Sequence, residues 1–556
     1  MRRLRTLPEA LADAARGDAG YCFVSAGAER WRSFAEIRAS ALRVARALAL
    51  RGLRRGDLVA LVLPDGEQFL TALFGASIAG VIPASLYPPA TTGDLPRYIE
   101  LTAAILNVAE ARAIVTSRAL APAFDAARAV CPRLSLVLCR EDLDADADEP
   151  RAAPSLDDIA FVQFTSGSTS TPKGVALTHA NVAANIAAFS GSEGVGARAD
   201  DVAVSWLPLN HDMGLVGMAI GALYVARPCV LLPPQSFVKR PAEWLRALTR
   251  HRGTVSFAPN FAYDLCVRRV KDTSGLDLAP WRVAGCGAEP IHPGTLAAFA
   301  AKFAPAGFRD AAFLPCYGLA EHVLAATFAP RGRAPRVERV ATADLIERRI
   351  AVPAGGDEAH ATSLVSCGSA LPGHAVRIVS EAGRALGERC LGEIQLAGPS
   401  VMLGYYKRDA QTKEAIANGW LRTGDLGYIA DGELFVCGRA KDLIIVHGRK
   451  YHPQDLEWAV DDVDGVRRGR VAAFGVVEAG RADRVVIVVE PSGTAPSDRL
   501  ADAIRRRIGD LFGLCVDEVA VVPSGAVGRT TSGKVQRTAT KERFLRGELA
   551  AESVRA

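Results

Sequence analysis

The chain has 556 residues, more than a single hydrophobic core organises, so at least two domains are expected. Hydrophobic residues make up 49% and charged residues 23%, an ordinary balance for a soluble globular protein. A net charge of +5, from 66 basic and 61 acidic residues, is too mild to argue for a nucleic-acid partner, and no lysine/arginine block is flanked by stacking aromatics. The 11 cysteines are an odd, dispersed set without a CxxC pair or metal-ligand cluster, which reads as free thiols in a reducing compartment. The basic start, Met1-Arg2-Arg3-Leu4-Arg5, runs into Pro8, Glu9 and Asp13 where a signal peptide needs an apolar core. The longest apolar region, Leu215 to Ala226, is too short to span a bilayer. A cytoplasmic protein with no stable membrane insertion is expected.

Along the chain, Phe34 to Leu50 has helical periodicity, and Leu58-Val59-Ala60-Leu61-Val62-Leu63 reads as a buried parallel strand. Ala111 to Thr116 and Leu134 to Leu138 predict further strands with helices between, and the acidic Glu141 to Asp148 an exposed loop. Ile159-Ala160-Phe161-Val162 predicts a buried strand, and Val175 to His179 is another apolar stretch. Val202 to Trp206 and Thr254 to Phe257 read as strands around a helix from Pro241 to His251. Such alternation argues for α/β sheets with crossover helices. Residues 374–437 are glycine-rich with short strands, predicting a small barrel-like subdomain. The character changes at Gly438-Arg439-Ala440-Lys441-Asp442, and the boundary is placed at 438–442. Beyond it comes a small α/β pattern: strand Leu443 to Val446, helix from Pro453, strands Arg470 to Val477 and Arg484 to Val489, helix Asp498 to Leu511, strand Glu518 to Val522.

The most informative stretch is Thr165-Ser166-Gly167-Ser168-Thr169-Ser170-Thr171-Pro172-Lys173-Gly174. Glycines let a backbone approach polyphosphate closely, hydroxyl and N–H groups donate to it, and the lysine is a mobile positive charge. It is not a Walker loop, because no glycine directly precedes Lys173. Gly285-Cys286-Gly287-Ala288-Glu289-Pro290 and Cys316-Tyr317-Gly318-Leu319-Ala320-Glu321 are glycine turns after apolar strands; they read as ordinary strand ends or as a slot for a flat base, with Tyr317 able to stack. Asp425, in Thr423-Gly424-Asp425-Leu426-Gly427, puts on a tight turn a carboxylate able to accept two ribose hydroxyls. His211-Asp212-Met213-Gly214 follows a strand, and Thr530-Thr531-Ser532-Gly533-Lys534 is a glycine loop near the C-terminus; each reads in isolation as structural or exposed.

In this order the motifs resemble the adenylate-forming superfamily of acyl-CoA synthetases, luciferases and peptide-synthetase adenylation domains. The resemblance implies an α/β fold: a large domain over residues 1–438, of two doubly wound α/β subdomains plus a small distorted β-barrel, a hinge at 439–442 centred on Lys441, and a small mobile α/β domain over 443–556. It implies ATP with Mg²⁺. Thr165, Ser166, Gly167, Ser168, Thr169 and Lys173 would hold phosphates, Gly287, Ala288, Tyr317 and Gly318 the adenine, and Asp425 with Arg439 the ribose. Glu321 would be the magnesium carboxylate, and Lys534, His211 and Glu321 the catalytic set, with Lys534 swinging in to the α-phosphate and substrate carboxylate. His211, Gly214, Phe257 and Phe261 would line the acyl pocket. Two departures show: Ser170 and Asn210 stand where the family usually has a glycine and an aromatic.

Ser205-Trp206-Leu207-Pro208, the run from Ala258 to Cys266, Lys441 to Arg449 and Pro453 to Glu457 resemble the fatty acyl-AMP ligases. That branch implies a ligase that activates a fatty acid as its adenylate and passes it to the phosphopantetheine thiol of a holo acyl carrier protein. A fatty acyl-CoA synthetase and a catalytically silent scaffold are the alternatives. The branch carries an insertion that hinders CoA use, for which Val340 to Thr362 is the candidate; a surface decoration is the other reading. Arg467-Arg468-Gly469-Arg470 and Arg505-Arg506-Arg507 are candidate docking patches for an acidic carrier, or solvated faces.

Overall fold

The computed structural model describes residues 3–25, 27–89, 95–146, 153–165, 172–355, 361–446, 449–476, 484–493, 496–529 and 535–555. Helix Phe34–Leu50 spans the run that periodicity predicts. Ser33 starts it, accepting from the Glu36 N–H while the Glu36 carboxylate accepts from the Ser33 N–H. Strand Leu58–Val62 is apolar throughout because both its faces are covered. Val59 and Leu61 point into the main core, whereas Leu58, Ala60 and Val62 pack with Leu106 and Phe124 from helices Leu95–Val108 and Ala121–Val130.

Two large sheets share that main core. In the seven-stranded sheet the order is Gly404–Tyr405, Lys173–Thr178, Ile159–Thr165, Ile82–Ser85, Leu58–Val62, Ala113–Thr116, Leu136–Cys139. The stretch after the phosphate-loop motif is not a crossover partner: Lys173–Thr178 returns antiparallel on Ile159–Thr165, with Thr165 opposite Lys173. The nine-stranded sheet runs Ser369–Ala370, Ala325–Phe328, Phe313–Gly318, Val283–Cys286, Val255–Ala258, Ala203–Ser205, Cys229–Leu231, Gly20–Ser25, Ala28–Ser33. Its six inner strands, Phe313–Gly318 to Gly20–Ser25, are parallel. The apolar run expected around Leu215 to Ala226 is helical over Met213–Tyr224 and buried, its first eight residues wound as a wide π-type helix.

Residues 375–439 form a five-stranded antiparallel sheet centred on Trp420–Ala430. From Ile444 onward the chain builds its own cores on a four-stranded sheet. In strand Arg484–Pro491, Val485, Ile487 and Val489 face helices Pro453–Asp461 and Ser497–Phe512, while Val486 and Val488 face Phe544 of helix Arg537–Leu545. No pattern in the sequence predicts that last helix or the edge strand Glu552–Arg555.

Candidate active site

A cavity of about 1150 Å³ opens where parallel strands of the nine-stranded sheet end. Strand ends supply Phe257, Cys316, Tyr317 and Gly318, the seven-stranded sheet supplies Gln163 and Lys173, and the small C-terminal unit closes the far side with Gln454, Trp458 and Arg537. Carboxyl ends of parallel strands are the usual ligand edge of such sheets, since the loops there are free to specialise.

Asp425 is the best-defined group. It is only 6% exposed, and Tyr317 donates its hydroxyl to Oδ2 at 2.7 Å. Arg439 brings Nε to 2.9 Å from Oδ1, the two residues facing each other across an antiparallel ladder. A buried carboxylate is tolerable only when paired this way. Thr423 locks the turn: its hydroxyl donates to the Ile394 carbonyl at 2.7 Å and accepts from the Asp425 N–H at 3.0 Å. The Asp425 charge raises the Arg439 pKa, and burial followed by that same charge pushes Tyr317 well above the ordinary phenol range. Tyr317 thus ties the expected base slot to the expected ribose carboxylate.

Glu321 accepts from the Tyr405 hydroxyl at 3.0 Å through Oε1, and its other oxygen has no partner among the described residues. Tyr405 also lies under Lys173, whose ammonium is 4.8 Å from the ring centroid. One tyrosine therefore joins the phosphate-loop lysine to the candidate metal carboxylate, and burial, then Glu321, raises its pKa. No motif in the sequence marks Tyr405. Ala288 (φ 67°) and Val323 (φ 63°) hold left-handed backbone beside the site. For a β-branched residue such as Val323 that costs on the order of 1–3 kcal/mol, strain that concentrates at functional turns.

On the acyl side, Phe257 and Phe261 line the cavity with Phe189, Met213, Leu324 and Phe328. Phe261 is backed edge-on by Trp206 at 5.9 Å. His211 lines it too, with Nδ1 2.6 Å from Asp212 Oδ1. Gly214 does not: a Cβ there would stand 2.2 Å from the Pro208 carbonyl oxygen, so its bare backbone serves helix packing, and Gly217 faces the cavity instead. Gly287 likewise packs under the slot, against the Cys316 carbonyl, while Ala288 lines it.

The C-terminal unit touches the large one through Trp458, 4.8 Å edge-on from His292, and Arg529, 5.9 Å over Phe261. Arg537 grips Glu457 with two contacts of 2.6 Å. Lys534, the Thr165 side chain, Ser166, Gly167, Ser168 and Thr169 lie outside the described residues. Arg529 and Val535, which bracket the lysine motif, pair across it and both line the cavity.

The insertion candidate is a hairpin, Val337–Ala341 with Ala361–Val365, carrying a helical turn at Asp344–Arg348. It is more than decoration. Leu345 is buried against the antiparallel sheet, Ile346 packs on the C-terminal core, and Glu347 pairs with Arg449 at 2.7 Å. The arginine run at 467–470, a candidate docking patch or solvated face, pairs within the chain. Arg467 pairs with Glu490 at 3.0 Å, Arg468 with Asp462, and Arg470 donates to the Val527 carbonyl. In the second run Arg505 likewise donates to the Val516 and Val554 carbonyls.

Residues 11–406 match the AMP-binding enzyme family, and residues 441–554 match the family described as Disco-interacting protein 2-like, AMP domain. A Caulobacter vibrioides protein that carries an acyl-CoA synthetase name is 37% identical, covering 98% of this chain and 96% of its own. The medium-chain-fatty-acid–[acyl-carrier-protein] ligase JamA of Moorena producens is 35% identical over 91% of this chain and 89% of its own. A solved chain from work on fatty acyl-adenylate ligases of E. coli and L. pneumophila superposes with a TM-score of 0.91 at 36% identity, covering 98% of both chains. Matched along its length in family, sequence and fold, this chain belongs to the AMP-binding enzyme family and is a ligase of the adenylate-forming kind.

Proposed function

We propose that the protein activates a fatty acid as acyl-AMP and then transfers the acyl group to the thiol of a holo acyl carrier protein. The observation that carries the first step is the convergence on one cavity of the Tyr317–Asp425–Arg439 cluster, the Lys173–Tyr405–Glu321 cluster and an apolar wall ending in Phe257 and Phe261. In this reading Asp425 and Arg439 hold the ribose, and the slot by Ala288 and Tyr317 takes the adenine. A fatty-acid carboxylate oxygen attacks the α-phosphorus, a new P–O bond forms, and the bond to pyrophosphate breaks. Two anions meet in that step, so positioning and charge neutralisation dominate it. Lys173 and Lys534 supply positive charge. Glu321 fits a magnesium ion, which favours one or two carboxylates alongside phosphate oxygens; when bound, the ion neutralises charge on the phosphates.

Transfer then needs the thiolate to attack the acyl carbon while AMP leaves. Lys534 must withdraw for that, with rotation about Lys441 as the means. The acceptor choice rests on the 340–362 hairpin, whose Ile346 and Glu347 engage the C-terminal unit and restrict its travel. A carrier protein brings docking energy that offsets this restriction, whereas free CoA has only its own contacts. The test is a fatty-acid-dependent ATP–pyrophosphate exchange assay, followed by CoA and a holo carrier protein offered side by side. Acyl-carrier product without acyl-CoA is expected. Abundant acyl-CoA moves the enzyme to the CoA ligases, and no exchange with any fatty acid removes the adenylation reading.

A further inference from the structure

Among the buried residues of helix His179–Ser190 is an amide, Asn185, at 0% exposure. Asparagine is a poor choice for a helix interior, because its side chain competes for backbone partners. Here the partners lie 137 and 140 residues away in the chain. Nδ2 donates to the His322 carbonyl at 3.3 Å and to the Ala325 carbonyl at 2.8 Å, and Oδ1 accepts from the Ala325 N–H at 3.1 Å. Both amide hydrogens and the oxygen are therefore spent on one turn, between strands Phe313–Gly318 and Ala325–Phe328.

That turn is strained. The Leu324 N–H reaches back to the His322 carbonyl at 2.7 Å, and Val323 between them holds φ 63° and ψ −60°. This is the γ-turn of the rare, strained hand, centred on a fully buried β-branched residue. Such a conformation persists only where its surroundings over-determine it. Asn185 does so by spanning Val323 from His322 to Ala325. Glu321 and Leu324, on either side of the turn, both line the cavity, whereas His322 is fully buried outside it. Relaxing Val323 to negative φ would redirect the chain between them and shift the Glu321 carboxylate from its place beside Tyr405. Asn185 does not itself line the cavity, so it acts there only through the turn.

We propose that Asn185 is a positioning residue of the ligase reaction: by holding the strained Val323 turn it aims the Glu321 carboxylate at the metal that accompanies ATP. This role rests on the reading of Glu321 as the magnesium carboxylate. Partners that orient a metal ligand from behind typically change metal affinity by about 10- to 100-fold when removed.

The experiment is calorimetric titration of ATP into the enzyme without fatty acid, once with Mg²⁺ and once with EDTA. The quantity read is the gain in ATP affinity that magnesium brings. Wild type should show a gain, Glu321→Gln should lose it, and Asn185→Leu should lower it by at least ~10-fold. ATP affinity in EDTA should be the same in Asn185→Leu as in wild type, which a general structural lesion would not spare. A gain that survives in Asn185→Leu but is lost in Glu321→Gln overturns the positioning role and leaves the metal reading standing. Equal weakening of ATP with and without magnesium in Asn185→Leu also overturns it, making the amide a matter of folding alone. No gain in wild type, or a full gain in Glu321→Gln, overturns the metal reading of Glu321 and this inference with it. Should Asn185→Leu fail to fold, Asn185→Ser, too short to reach both carbonyls, is titrated in its place with the same outcomes.

Discussion

Asp425 is held by a phenol, a guanidinium and a locked turn, so its oxygens are aimed before any ligand arrives. Preorganisation of this kind lowers the cost of binding. Asp425→Ala should therefore weaken ATP by roughly ten- to a hundred-fold, the value of a charge-assisted hydrogen bond of about 1.5–3 kcal/mol, and leave fatty-acid affinity nearly unchanged. Calorimetric titration with each ligand separates the two, and equal ATP affinity would place the carboxylate elsewhere. Lys534→Ala should slow acyl-AMP formation by at least ~10²-fold, the scale of one lost electrostatic donor, with the same unfolding temperature as wild type. Asp425 and Glu321 were both legible as motif residues. Tyr405 was not, because the tyrosine pair Tyr405-Tyr406 after Leu403-Gly404 carries no functional pattern; only the contacts of Tyr405 with Glu321 and Lys173 reveal it.

At the level of elements, the turn after strand Phe313–Gly318 is the tightest point of the site. A Cβ on Gly318 would stand 1.7 Å from the Leu324 carbonyl oxygen. Gly318→Ala must push that backbone aside and with it the Glu321 turn. The variant should unfold several degrees lower by thermal scan, and its adenylation should fall even where it remains folded. Helix Pro453–Asp461 gives a pH test. Burial, reinforced by Glu457, pushes the Asp461 carboxyl up to about 7, although the Gly469 N–H and Arg529 oppose it. A carboxyl raised above its unfolded value binds more protons folded than unfolded, so its contribution is fully present below about pH 4 and is lost as pH rises through about 7. Asp461→Asn, which mimics the protonated form, should gain stability relative to wild type across that interval; parallel unfolding temperatures at every pH would refute it. Periodicity located Phe34–Leu50, Leu58–Val62 and Arg484–Pro491 because each has a regular face or full burial. It did not locate Arg537–Leu545, whose one buried residue, Thr540, is polar, leaving no apolar stripe to read.

At the scale of the whole molecule, the 340–362 hairpin joins two cores. Excising it would strip Val340, Leu345 and Ala351 from the core around Tyr428 and Phe435, confounding any change in acceptor with unfolding. The cleaner variant is Ile346→Ser with Glu347→Arg, which removes the apolar contact and sets like charge against Arg449. Adenylation should persist, and acyl-CoA should appear by mass spectrometry where wild type forms none. Absence of acyl-CoA from the folded double variant would dismiss the hairpin as the cause of acceptor choice. By itself the sequence determined the kinds of element, the change of character near 438–442 and the ordered motifs. Those are encoded locally, in periodicity, turn residues and short spacings. Only the tertiary structure decided that Tyr317 reaches Asp425 across 108 residues and Tyr405 reaches Glu321 across 84. It also decided that Gly217 faces the cavity rather than Gly214, and that Arg467, Arg468 and Arg470 find partners within the chain. Such choices depend on which surfaces pack together, and that competition among distant segments leaves no short-range pattern in the chain.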